Sequence, residues 1–216
     1  MKLKSTHREI VIATGNPGKL REIAQVLSGL PVNVIGLNAI ADIAEPEETG
    51  ATFAQNAREK ALYYAQATER WCLADDSGLQ VDALGGAPGI HSARYSSDTV
   101  APNSDRSAVD RANNAKLLAA LEDVPDELRV ARFVCCVALA SPETVLLETS
   151  GTFEGVIARL GAGDNGFGYD PLFYVPDHDC TAAELPPEEK NRISHRGQAV
   201  RRFAEMLTDY MAAEAC

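Results

Sequence analysis

The chain has 216 residues, 45% of them hydrophobic, and a formal net charge of −11. That length suits one α/β domain, or two lobes sharing a sheet, with a core large enough to need no disulfide staples. The acidic balance excludes a general nucleic-acid surface, which is normally basic, but allows a local cationic pocket or a divalent metal to face a polyanion.

Glu9–Thr14 is predicted as a buried first strand and Gly15-Asn16-Pro17-Gly18 as the turn after it. Leu20, Ile23, Ala24 and Leu27 then recur at helical spacing. Val32–Leu37 suits the next strand, and Glu45–Gly50 an acidic, exposed loop. Thr52-Phe53-Ala54-Gln55 has the capping-box pattern, which predicts a helix running to about Thr68 with Phe53, Ala57, Ala61 and Ala65 inward. Asn56 and Lys60 are one turn apart on another face, which suits an anion or plain solvent.

Trp71–Ala74 reads as a strand, Asp75-Asp76 follow it, and Ser77-Gly78 is predicted to turn the backbone. After the glycine-rich loop Gly85–Gly89, a helix is expected from about Asp105 to Leu121 with Ala108, Ala112, Ala115 and Leu118 inward. Val130–Leu139 and Thr144–Thr149 form a predicted hairpin around Ser141-Pro142-Glu143, with Thr152–Ala158 a separate strand. A second glycine-rich loop spans Gly161–Pro171, and the last helix begins near Ser194 or His195, burying Ala199, Phe203, Leu207 and Tyr210. The order of elements fits one continuous α/β fold.

The five cysteines (Cys72, Cys135, Cys136, Cys180 and Cys216) are odd in number and include no Cys-x-x-Cys, so reduced thiols are expected. His178-Asp179-Cys180 lacks a second ligand pair and reads as loop chemistry. Met1–Arg8 has no apolar signal core, and no apolar run approaches the roughly 20 residues of a membrane span. A soluble, cytoplasmic protein is expected.

Four stretches carry chemistry. Successive strand side chains point to opposite faces, so Asp75 and Asp76 diverge: one holds local structure while the other binds a metal or orients water, although Asp-Asp-Ser-Gly also suits a plain turn. Thr14-Gly15-Asn16-Pro17-Gly18-Lys19 resembles a phosphate cradle, or an ordinary strand–helix turn, and is not a Walker A loop. Lys190-Asn191-Arg192 and His195-Arg196 cluster cationic groups in an acidic chain, for phosphate or keto oxygens or as a solvated face. Phe167-Gly168-Tyr169-Asp170 offers aromatic rings and a carboxylate to a nucleobase, or to the core. Taken together they describe a nucleotide site.

These motifs, with Glu47-Glu48-Thr49-Gly50, Phe53-x-x-Asn56-Ala57-x-x-Lys60-Ala61, Ser92-Ala93-Arg94-Tyr95 and Ser194-His195-Arg196, run in order along nearly the whole chain. In this they resemble the inosine triphosphate pyrophosphatase (Ham1-like) family. The resemblance implies a single domain over residues 1–216, built on a mixed, twisted α/β sheet with flanking helices and two lobes around a substrate cleft. It implies hydrolysis of ITP, dITP and XTP to monophosphate and pyrophosphate, dependence on Mg²⁺, and a homodimer. By position, Thr14, Gly15, Asn16, Pro17, Gly18 and Lys19 bind triphosphate. Asp76 is the general base and a metal carboxylate, with Glu47 the second metal partner. Ser77, Phe167, Gly168, Tyr169, Asp170, Lys190, His195 and Arg196 complete the substrate site, and Asp75 supports local structure. His91 departs from the Tyr of many relatives. A related pyrophosphatase with another base preference, or a non-catalytic nucleotide-binding module, are the alternatives.

Overall fold

The computed structural model describes residues 8–40, 43–101 and 104–214. The expectations for Met1–His7 and for Cys216 lie outside the described residues. Seven strands form one sheet in the order β2-β1-β3-β4-β5-β6-β7: β1 Arg8–Ile12, β2 Val32–Gly36, β3 Trp71–Val81, β4 Val130–Ala140, β5 Val145–Ile157, β6 Phe173–Val175 and β7 Cys180–Thr181. β1 is parallel to β2 and β3, whereas β5, β6 and β7 are antiparallel neighbours. The expected mixed α/β sheet is therefore present. The helices are α1 Pro17–Leu27, α2 Phe53–Thr68, α3 Arg106–Ala120, α4 Pro187–Ile193 and α5 His195–Glu214. No described helix is long and apolar enough to cross a membrane.

The chain forms two compact units, residues 1–76, 135–151 and 196–216 in one, residues 77–134 and 152–195 in the other. The first unit has a core on each face of its strands. Ile10, Ile12, Trp71, Leu73 and Cys135 pack with Ile23 and Leu27 of α1 and Ala199, Phe203 and Leu207 of α5. The alternate residues Val11, Ala13, Cys72, Ala74 and Ala138 pack with Ala57, Ala61 and Ala65 of α2. The α2 stripe is thus the predicted one, and its alanines leave little between helix and sheet. The second unit is built around Leu79, Val81, Phe133, Phe153 and Phe173, against which Leu117 and Leu121 pack. Cys72, Cys135, Cys136 and Cys180 are free thiols.

Three expectations are corrected. Ser77-Gly78 does not turn; β3 runs unbroken through Asp75, Asp76, Ser77 and Gly78 to Val81. The turn preference of these residues is overridden because nearly all the side chains of β3 are buried. Thr144–Thr149 and Thr152–Ala158 belong to one long strand, β5. On α3 the inward face is rotated: Asn113 and Leu117 are the buried residues and Ala115 is exposed. Alanine has little area to bury, so Leu117 and the hydrogen bonds of Asn113 decide the orientation. The segment before the last helix, for which the sequence predicts no element, contains α4 and the two short strands β6 and β7, whose few residues carry no usable periodicity.

Candidate active site

Asp76 is 6% exposed and faces α2. Thr52 caps that helix by accepting from the Gln55 N–H at 3.1 Å, which sets the phase that brings Asn56 and Lys60 to the strand. The Asn56 amide donates to one Asp76 oxygen at 3.0 Å, and the Lys60 ammonium donates to the other at 3.0 Å. Lys60 also pairs with Glu48 at 2.7 Å. The Asn56 carbonyl accepts from the Gly50 N–H at 2.8 Å, tying the acidic loop to the same residue. A Cβ at position 50 would lie 2.4 Å from that oxygen, so only glycine fits there.

One ammonium is thereby shared by two carboxylates. Burial opposes the Lys60 charge, but Asp76 and Glu48 together outweigh it and hold the group above the ordinary lysine range. Asp76 receives only a share of that cation. Burial therefore dominates and pushes its pKa up, with Lys60 and the Asn56 hydrogen bond offsetting part of the rise. Because the cation favours the ionised form, Lys60→Met should make Asp76 keep its proton to higher pH. The titration of the Asp76 carboxyl carbon, followed by NMR, should then move to higher pH. An unmoved titration would show that Lys60 does not tune Asp76.

Asp75 points the other way, as strand alternation requires. Lys19 of α1 reaches it at 2.9 Å, and Arg196 of α5 at 3.4 Å. Arg196 also pairs with Glu22 at 2.6 Å and is 4% exposed. Burial opposes its charge, but the two carboxylates more than compensate. In the predicted phosphate loop, Asn16 caps α1 by accepting from the Gly18 N–H at 2.8 Å and the Lys19 N–H at 3.4 Å, and the Asn16 N–H donates to Thr14 at 3.1 Å. Several amides read as a cradle are thus engaged locally, while Gly15 and Pro17 are exposed.

The remaining predicted residues lie in the second unit. Asp170 is buried, accepts from the Phe167 N–H at 2.7 Å and pairs with Lys190 at 2.5 Å. The ammonium then stands 5.1 Å from the centre of the half-buried Phe167 ring. Tyr169 belongs to the core, and its hydroxyl donates to the Ser92 carbonyl at 2.8 Å. Of the two rings proposed as a base platform, the structure leaves Phe167 as the partly exposed one. His195 opens α5 and stacks on Phe133 with ring centres 4.9 Å apart, and Ser77 is half-buried on β3.

The Ham1 family model matches residues 10–206. The chain belongs to the Ham1 family. The dITP/XTP pyrophosphatase of Geobacter sulfurreducens is 51% identical over 191 residues, covering 88% of this chain and 92% of that protein. That of Desulforamulus reducens is 48% identical over 199 residues, covering 92% and 95%. Among solved structures, a HAM1 protein from Coxiella burnetii has a TM-score of 0.81 at 45% identity, covering 94% of this chain and 99% of that one.

Within this Ham1 chain no three His, Cys, Asp or Glu among the described residues form a metal cage. Asp76 and Glu48 instead offer two hard carboxylates around one cationic group. That donor set fits Mg²⁺, which commonly takes one or two carboxylates and fills its shell with water and substrate phosphate oxygens. Glu47, the carboxylate named from position, is exposed, whereas Glu48 is half-buried beside Lys60. Sequence reasoning missed Glu22, for which no motif gave a signal. It placed Asn56 and Lys60 on one face without finding their partner. The Asp110 and Asn114 contacts to the Phe167 loop were also missed.

Proposed function

We propose that the protein hydrolyses dITP, ITP and XTP to the nucleoside monophosphate and pyrophosphate. The observation that carries this reading is Asp76: a buried carboxylate with each oxygen held by a different α2 side chain and a pKa raised toward the range of a useful base. In this reading Asp76 orients a water and takes its proton as the water oxygen bonds to the α-phosphorus. The bond from that phosphorus to the bridging oxygen breaks, and pyrophosphate leaves. Lys19 and Lys60 supply positive charge to the triphosphate.

Mg²⁺ dependence is part of the proposal, with Asp76 and Glu48 as the protein ligands. When bound, the ion neutralises phosphate oxygens as a Lewis acid. Phe167 stacks on the purine. His195 and Arg196 are assigned the 6-keto oxygen, a pairing that the 6-amino donor of adenine does not satisfy. The resemblance extends the proposal to a cytoplasmic homodimer; a monomer mass in sedimentation equilibrium would remove the dimer, and recovery in another cell fraction the location.

The test is pyrophosphate release from ITP, XTP, dITP, ATP and GTP, each with Mg²⁺ or EDTA. Turnover of the first three is expected with Mg²⁺ and is expected to vanish with EDTA. Glu48→Gln should need more Mg²⁺ for half-maximal rate than Glu47→Gln. Absence of turnover with every substrate would sink the enzyme reading, and faster ATP than ITP cleavage would sink the base preference.

A further inference from the structure

The Phe167 loop is poorly suited to hold its own shape. Gly166 and Gly168, on either side of the ring, have φ of +80° and +64°, a region that glycine enters freely and leaves as freely. On the N-terminal side of the ring, the Asp170 carboxylate fixes the Phe167 N–H. On the C-terminal side both polar groups of Gly168 are taken by α3. The Gly168 N–H donates to Asp110 at 2.9 Å, and its carbonyl accepts from the Asn114 amide at 2.9 Å. Asp110 and Asn114 are four residues apart, so one helix face grips both sides of a single residue.

The helix that provides this grip is itself well anchored. Asp105 caps its start by accepting from the Ala108 N–H at 2.7 Å, and Arg129 donates to the Leu121 carbonyl just past its end at 2.6 Å. Between them Asn113 accepts from the Ser96 N–H at 2.8 Å and donates to the Ser92 carbonyl at 3.3 Å. That same carbonyl receives the Tyr169 hydroxyl. Asn114 is otherwise an unfavourable choice. Asparagine is a weak helix former in a helix interior, and its buried amide oxygen has no hydrogen-bond partner among the described residues. What it contributes is the donor to Gly168.

We infer that Asp110 and Asn114 are positioning residues that hold the Phe167–Asp170 loop in one pose and thereby set affinity for the purine base. The inference rests on the assignment of that loop to base recognition. Neither side chain needs to touch the nucleotide: removing the grip lets Phe167 sample other positions, which weakens binding of the base and leaves binding of the phosphates alone.

The experiment compares wild type, the double variant Asp110→Ala/Asn114→Leu, Asp110→Asn and Phe167→Ala. Each is measured for kcat and KM with ITP and ATP, inhibition by inorganic tripolyphosphate, thermal melting, and hydrogen exchange of the Gly168 amide. In the double variant the KM for ITP should rise about tenfold and that for ATP by a similar factor, which leaves the ITP-over-ATP preference in place, while tripolyphosphate inhibition stays within about twofold. The Gly168 amide should exchange faster. Asp110→Asn keeps an acceptor oxygen and should restore most of the affinity. Should the double variant fail to fold, the single changes Asp110→Ala and Asn114→Ala give the same readouts.

An unchanged KM in a folded variant overturns the inference, as does an equal loss of tripolyphosphate binding, which marks general disruption. If Phe167→Ala shifts KM but the α3 variants do not, the base site stands and the grip falls. If neither does, the loop is not the base site and both fail.

Discussion

Asp76→Asn is expected to lose roughly a thousandfold in kcat while remaining folded, the scale of removing a positioned general base. The amide oxygen of the new residue can still accept from one neighbour, but the amide cannot satisfy both the Asn56 donor and the Lys60 ammonium as the carboxylate does. Lys60 retains Glu48 at 2.7 Å, so its charge is not stranded. Nor is an ionised Asp76 a source of stability. Its folded pKa lies above the ordinary value, so the folded state holds the proton more tightly, and the contribution of Asp76 to stability falls as pH rises through that window. The stability of the asparagine variant relative to wild type should therefore rise with pH there. Steady-state pyrophosphate release and thermal melts from acid to neutral pH check both halves. A kcat within tenfold of wild type would exclude Asp76 as the essential base.

The largest effect on stability should come from Arg196→Met. This guanidinium is almost wholly buried between Asp75 and Glu22. Removing it takes one cation from Asp75, only 1% of whose side chain is exposed, while Lys19 remains at 2.9 Å. Leaving a buried charge uncompensated costs about 3–5 kcal/mol, so with Lys19 still in place a loss of about 2–3 kcal/mol is expected. For a chain of this length that corresponds to a fall in Tm of roughly 4–12 °C. The double variant Arg196→Met/Asp75→Asn removes the undercompensated charge and should recover part of the loss. A single variant melting within about 2 °C of wild type, or a double variant no more stable than the single, would refute the brace.

Much of the architecture was legible where a pattern is long and local. Thr52 and Gln55 marked the start of α2, and its alanines marked its buried stripe. The alternation of a strand foretold that Asp75 and Asp76 part company. The failures have a common physical origin in contacts distant along the chain. Ser77-Gly78 prefers a turn, and the burial of the long strand around it keeps it extended. Asn113 and Asn114 of α3 carry no signal in the sequence, because the segments they hold, around Ser92 and Gly168, are distant along the chain. Glu22 has no signal at all, because its role exists only when Arg196 arrives from the far end of the chain. In the site, the acidic centre was readable from one hexapeptide, whereas which of Glu47 and Glu48 meets Lys60 depends on how the loop is tied to Asn56.

The placement of Asp75 and Asp76 also bears on how β3 finds its alignment. Both faces of this strand are apolar, with Trp71 and Leu73 on one and Cys72 and Ala74 on the other. Greasy side chains alone would therefore tolerate a strand displaced by one residue, which exchanges the two faces. The carboxylates do not. A shift in one direction sets Ala74 before Arg196 and Lys19, and a shift in the other sets Ser77 before Lys60, so that a buried cation loses one of its carboxylates either way. Two neighbouring aspartates with separate sets of cations thus act as an alignment mark, rejecting a misthreaded central strand during folding.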